Sequence, residues 1–306
     1  MKTSKLPNVI FKLLTFGAAI CVIVLIVGML LTLLLESWPA LRRFGFFDFL
    51  FGRNWNYANQ IFGALRPLTG TIISTGLALV MAVPVALGTA VFLVELCPHK
   101  LRSGIGTAIE LLAAIPSIIY GMWGLFVLAP MLEENFQPLI VGTLGKLPLM
   151  GPFFQSHYAG GVNLFTAAVI LAIMIIPFIA GIARDAFNQV PPILKESSYG
   201  VGATHWETIA QVILPYTKTA VAGGVIIAMG RALGETMAVA YVIGNRHGGL
   251  DSIFSPYVTI TSVMANEFNE AAGLQMSSLF TLALVLLIAN FMVLSLAKYV
   301  LRSKFN

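Results

Sequence analysis

The chain has 306 residues, 58% of them hydrophobic and only 10% charged. Soluble domains carry about 25% charged residues, so this balance excludes a water-facing globule of that length and implies a surface turned toward lipid. The net charge of +5 then belongs to loops that set orientation, and a nucleic-acid partner is not expected.

A bilayer core takes about 20 apolar residues per helical span. The first such run covers residues 13–35. Lys2 and Lys5 precede it as in a signal peptide, but the run is too long for a cleaved segment and no small-x-small site follows, so it is read as a retained span. Further spans are expected over 68–94, 105–128, 163–183, 219–244 and 277–297. Inside lipid every backbone amide must be satisfied within its own segment, which makes these helices, and the alternation of a membrane barrel is absent. The expected fold class is an all-α integral membrane protein with about six transmembrane helices, one membrane domain filling 1–306. Pro84, Pro116 and Pro177 lie within spans and should kink them. Cys21 and Cys97 fall in or at the end of apolar runs and do not resemble a disulfide framework or a metal cluster.

With the first residue inside, eleven of the 18 basic residues fall in cytoplasmic connections and six fall outside; Arg231 lies within a span. This bias places both termini in the cytoplasm, although four of the six outer residues are the arginines of the first outer loop. Residues 38–57 of that loop interleave Phe44, Phe46, Phe47, Phe49, Phe51 and Trp55 with arginines. Such a segment suits the membrane interface, and a docking surface is the alternative. Residues 131–162 are rich in Gly and Pro and expected to be irregular.

The inner connection after the fourth span is the most informative segment. Pro191 and Pro192 suit a helix start and Gly202 its end. A second helix from about Thr204 is expected to stop near Pro215, giving a helix-turn-helix under the membrane, within residues 184–216. On these grounds alone, an ordinary helical loop is an equal reading.

Ionisable residues inside spans are costly and mark pathways or structural pairs. Arg231 and Glu235 are four apart and can share a helical face; Gly230 and Gly234 repeat that spacing and suit close helix contact. Arg231 could offer positive potential to a passing anion with Glu235 limiting trapping, or the two could simply lock helices together. Glu110 is a third candidate for the path, or else a structural partner or a helix-end charge.

Glu196, Ser197, Ser198 and Gly202, followed by Val212, Leu214 and Pro215, resemble the EAA loop of ABC importer permeases, with Ser-Ser in place of the usual Ala-Ala. Residues 109–124, 171–177, 230–238 and 265–268 are similar to phosphate-specific members of that family, and the similarity runs from about Trp38 to the last span. The resemblance implies a type I (MetI-like) permease architecture and an inner-membrane location. It implies that a separate cytoplasmic ATPase dimer, carrying ATP and Mg, docks on the loop at Glu196, Ser197, Ser198, Gly200, Gly202, Leu214 and Pro215. It further implies a second permease subunit, an extracytoplasmic phosphate-binding protein, and Arg231 and Glu235 on the phosphate path. No cofactor on this chain and no enzymatic activity of its own are expected. Gly145-Lys146 lacks the glycine-rich approach of a phosphate-cradling loop, which agrees with an external motor. The alternatives are the sister phosphate permease, a permease for another oxyanion such as sulfate or molybdate, an ion-coupled secondary transporter, and a structural or sensory membrane subunit.

Overall fold

Small residues set the centre of the bundle. Between apolar helices in lipid there is no hydrophobic drive to associate, so close packing through small side chains decides which helices meet. Gly70, Ser74, Ala78, Ala82, Ala86 and Ala90 recur every four residues and are all buried. They lie on α3 (Leu65–Leu96), which packs along α6 (Leu164–Asn188). The latter is itself rich in buried alanine and is started by Asn163, whose side chain accepts from the Thr166 amide at 3.0 Å. The computed structural model describes residues 5–146, 151–155 and 160–305.

Around this pair stand α1 (Lys5–Phe44), the short α2 (Phe46–Phe51), α4 (His99–Ala113) and α5 (Ser117–Thr143). After α6 come α7 (Pro192–Gly200), α8 (His205–Leu233), the short α9 (Met237–Val242), α10 (Ile260–Glu267) and α11 (Leu274–Phe305). Five of these helices are long and apolar enough to cross a membrane, and α4 with α5 makes a sixth, bent candidate. α8 lies on α6, with Gly224 so close to Ile182 that an added methyl would sit 2.9 Å from it. α1 pairs with α11 at the periphery. The Lys5 end of α1, the Phe305 end of α11 and the α7–α8 connection all lie at one end of the bundle, the loop end.

Two expected spans are corrected. Residues 105–128 do not form one straight helix: α4 and α5 meet at 88° around Pro116. A proline disfavours helix in the residue before it and cannot supply the next amide bond. Gly106 and Glu110 both reach Arg184 near the loop end of α6, so α4 lies crosswise there. α5 runs lengthwise, with Gly124 against Ile170 and Val242. Nor is 219–244 continuous: α8 ends at Leu233, and α9 begins at Met237.

Pro215 does not end its helix. Instead π turns occur at Phe92–Leu96, Gly124–Leu128, Leu132–Phe136 and Ile209–Ile213, each two residues before a proline: Pro98, Pro130, Pro138 and Pro215. A proline ring clashes with the carbonyl four residues back and cannot bond to it. In each case that carbonyl (Val94, Phe126, Glu134 or Gln211) sits at the middle of the widened turn. The π turn removes the clash, and before Pro130, Pro138 and Pro215 the rod continues, whereas before Pro98 it ends with Cys97 extended.

At the far end from the loop, Phe49 and Phe62 pack with Val258, Ile260, Leu279, Leu282 and Val285. The aromatic segment 38–57 is thus split, with Phe49 fully buried and Trp38, Phe47 and Phe51 exposed. Beside that cluster Glu267 accepts from Trp55 Nε1 at 2.9 Å and Gln275 Nε2 at 2.8 Å, and meets His247 Nε2 at 3.1 Å. Burial alone would push the Glu267 carboxyl up. The bonds from His247, Trp55 and Gln275, with the charge of His247, outweigh it and hold the group below its ordinary 4.5.

Candidate functional site: a capped loop and a broken charged span

Local signals set where each helix of the loop begins and ends. Pro191 and Pro192 open α7, where the missing amide costs nothing. Gly202 closes it at φ +90°, a conformation that side chains with a β-carbon resist. Thr204 then starts α8 with a capping box. Its side chain accepts from the Glu207 amide, and the Glu207 carboxylate accepts from the Thr204 amide and hydroxyl at 2.8 and 2.7 Å. Glu207 stays exposed while its carboxylate serves this cap. Ser198 and Thr208 share a hydroxyl bond at 2.9 Å, and the Tyr199 hydroxyl meets His205 Nδ1 at 2.7 Å with the rings stacked.

Of the residues expected to receive the ATPase, Glu196, Ser197, Gly200 and Gly202 are exposed, and so is Pro215. Ser198 is half-buried and bonded inward, and Leu214 packs on the base of the loop. That base is a cluster of Ala90, Val94, Ala183, Phe187, Val190, Ile209 and Ile213, which joins α3, α6 and α8. The outer surface of the loop carries what the motif does not advertise. Ile193, Val201 and Trp206 are 65%, 86% and 69% exposed. Lys195 also reaches out of the loop to Glu95 on α3, at 2.6 Å.

The charged span departs from its expected geometry. Because α8 ends at Leu233, Glu235 is no longer one turn beyond Arg231 on the same helix, and the two form no ion pair. Glu235 Oε1 instead accepts from the Ala238 amide at 3.4 Å, at the start of α9. Its backbone carbonyl accepts from the Thr261 hydroxyl at 2.7 Å, which satisfies a backbone group freed by the break. Arg231 sits in the last turn of α8, where helix carbonyls favour a cation. Its guanidinium lies over the face of Phe178 at 4.3 Å, yet the residue remains exposed. Gly230 meets Leu294 of α11, whereas Gly234 opens onto a cavity of about 600 Å³. Thr236, Thr261, Asn269 and Asn290 supply its polar groups, and Asn290 Oδ1 is buried without a hydrogen-bond partner.

Glu110 is not part of this group: on α4 it pairs with Arg184 at 2.8 Å. Sequence reasoning missed Phe178, Thr261 and Asn290. Of these only Asn290 left a signal, as an amide inside an otherwise apolar run.

A multi-pass bundle with a capped, outward-facing loop and a charged break in one span defines a membrane permease subunit. Residues 98–305 match the family described as "Binding-protein-dependent transport system inner membrane component". The chain is 51% identical to the phosphate transport system permease protein PstC of Mesorhizobium japonicum, over 97% of this chain and 90% of that one. It is 50% identical to PstC of Pasteurella multocida over 95% and 90%, and to PstC of Haemophilus influenzae over 94% and 91%. The chain belongs to this PstC family within the binding-protein-dependent permeases. Its fold is similar to a chain of a bacterial ABC transporter involved in the import of alginate, with a TM-score of 0.65 and 16% identity, covering 99% of this chain and all of that one. A chain of the MetNI methionine ABC transporter gives 0.57 and 19%, covering 78% and 95%.

Proposed function

We propose that the chain is the membrane-spanning permease subunit of an ATP-driven importer of inorganic phosphate, lying in the bacterial inner membrane with both ends cytoplasmic. The observation that carries this reading is the exposed apolar surface of the α7–α8 knob, on a turn closed by Gly202 and a capping box at Thr204. Apolar surface in a loop outside the membrane marks a partner. That partner is a cytoplasmic ATPase dimer, which holds ATP and magnesium while this chain holds no cofactor. A second, PstA-like permease covers the face on which Arg231 is exposed, and an extracytoplasmic phosphate-binding protein delivers the anion.

The mechanical route is short. α8 runs unbroken from the knob to the turn of Arg231, 29 residues or about 40 Å. A displacement imposed on the knob therefore arrives at Arg231 and at the break beyond it, where the helices have room to shift around the cavity. Arg231 supplies the positive potential that a phosphate needs in low dielectric. Glu235, held to the start of α9, stands beyond it without cancelling its charge. Glu110, on the crosswise α4, is a charge at the inner mouth.

The test is reconstitution of the chain with its neighbours in liposomes. Phosphate, and not sulfate or molybdate, should stimulate ATP hydrolysis; stimulation by sulfate alone would transfer the reading to another oxyanion. Arg231→Gln should abolish phosphate uptake while the complex stays assembled, and normal uptake per assembled complex would reduce Arg231 to a helix lock. Gly202→Val forces a β-branched residue to φ +90° and should separate hydrolysis from uptake.

A further inference from the structure

We propose that the ion pair between Glu95 and Lys195 links the knob to α3, which makes Glu95 a positioning residue for transport. The inference rests on the knob being the site that receives the ATPase. By chain connection the knob can move only α6, through Gln189 to Pro191, and α8. α3 is not connected to it, since Glu95 and Lys195 are 100 residues apart. Yet α3 carries the stripe of small residues on which α6 packs, so access cannot change through α6 and α8 while α3 stays behind.

The pair adds a direct tie from α7 to α3, beside the apolar cluster of Ala90, Val94, Ile209 and Ile213 through which α3 meets α6 and α8. Lys195 Nζ meets Glu95 Oε1 at 2.6 Å, and the Glu95 side chain is only 9% exposed. α7 buries no residue of its own, so it is held by a few directed bonds. Ser198 and Tyr199 tie it to α8, and Lys195 ties it to α3. A shielded carboxylate is little screened by salt and is costly to leave without its cation, so α3 must follow Lys195 when α7 is displaced. Glu95 sits in the π turn Phe92–Leu96, the widened last turn of α3, and Lys195 immediately precedes Glu196 of the loop motif.

The experiment compares Glu95→Gln, Lys195→Gln and the charge-swapped Glu95→Lys/Lys195→Glu pair in the reconstituted complex, counting labelled inorganic phosphate moved per ATP hydrolysed. Each single variant should lower that ratio about tenfold or more without loss of assembly, and the swap should recover most of it. A normal ratio in the single variants overturns the linkage. So does loss of assembly in the singles that the swap does not repair, since that describes a structural pair. In the same preparations a cysteine at Val201 is tested for crosslinking to the ATPase. If it crosslinks while the single variants transport normally, only the linkage falls; if it never crosslinks, the docking reading falls and takes the linkage with it.

Discussion

α1 and α6 are almost equally apolar, with mean hydropathy of 3.1 and 2.6 in their best windows, yet none of the first window is buried and 61% of the second is. Every residue from Val9 to Met29 is exposed. The buried residues of α1 lie in its C-terminal half, at Ser37 and Ala40. α6 is enclosed by α3, α4, α8 and α9. Hydropathy therefore reports that a helix crosses, and side-chain size reports where it stands. Ala167, Ala168, Ala172, Ala180, Ala183 and Ala186 line α6, whereas the exposed stretch of α1 is dominated by Leu, Val and Ile.

The largest expected effect tests that distinction at the centre. Ala180 is 1% exposed in the cluster where α3, α6 and α8 meet. Ala180→Leu adds three carbon atoms where no space exists, and overpacking costs about 1–3 kcal/mol. The variant should show a lower unfolding temperature in detergent and a smaller yield of assembled complex. A yield and unfolding temperature equal to the parent would mean that α6 is not packed as tightly as its alanines indicate.

Much of the loop was legible before the structure, because its signals are local. Two prolines and a glycine each fix backbone geometry within a few residues. The charged span was not legible in the same way. Arg231 and Glu235 have the spacing of a helical pair, and nothing nearby in the chain announces that the helix stops at Leu233. The break is stabilised from a distance, by the Thr261 hydroxyl on the Glu235 carbonyl, and a contact 26 residues away leaves no periodic trace. Span three failed for the opposite reason: Pro116 was visible and read as a kink, but the crosswise position of α4 depends on Arg184, which lies on another helix. Pro215 shows a third limit. A proline reads as a stop, whereas the preceding turn can widen and let the helix continue.

At the far end, α1 is held where its following segment meets α10 and α11. Glu267 is the centre of that clamp, bonded to Trp55, Gln275 and His247. Its folded value is depressed below 4.5, so its contribution is complete above that pH and is lost as pH falls through the lower, folded value. Acidification below about 4.5, or Glu267→Gln at neutral pH, should raise hydrogen exchange around Trp55 and leave the middle of α6 protected. Equal loss of protection in α6 would show that the two layers open together. A smaller change is expected from Thr204→Ala, which removes half of the capping box at the start of α8 and costs about 1 kcal/mol. Exchange should rise at Glu207 and its neighbours, with little change beyond the π turn at Ile209–Ile213.

The smallest expected effect lies on α1 itself. Leu25 is 67% exposed, in a stretch of α1 whose residues from Val9 to Met29 are all exposed. In lipid its side chain meets hydrocarbon whether or not the bundle is folded, so no transfer from water is lost when it is shortened and no cavity is left behind. Leu25→Ala in the isolated chain should therefore change stability by no more than about 0.5 kcal/mol, the range of a surface substitution, against the larger loss at Ala180. Measured again in the assembled complex, the same substitution becomes a probe of what covers α1. A drop in unfolding temperature found only in the complex would place a partner helix on this face, and no drop in either state would leave it to lipid.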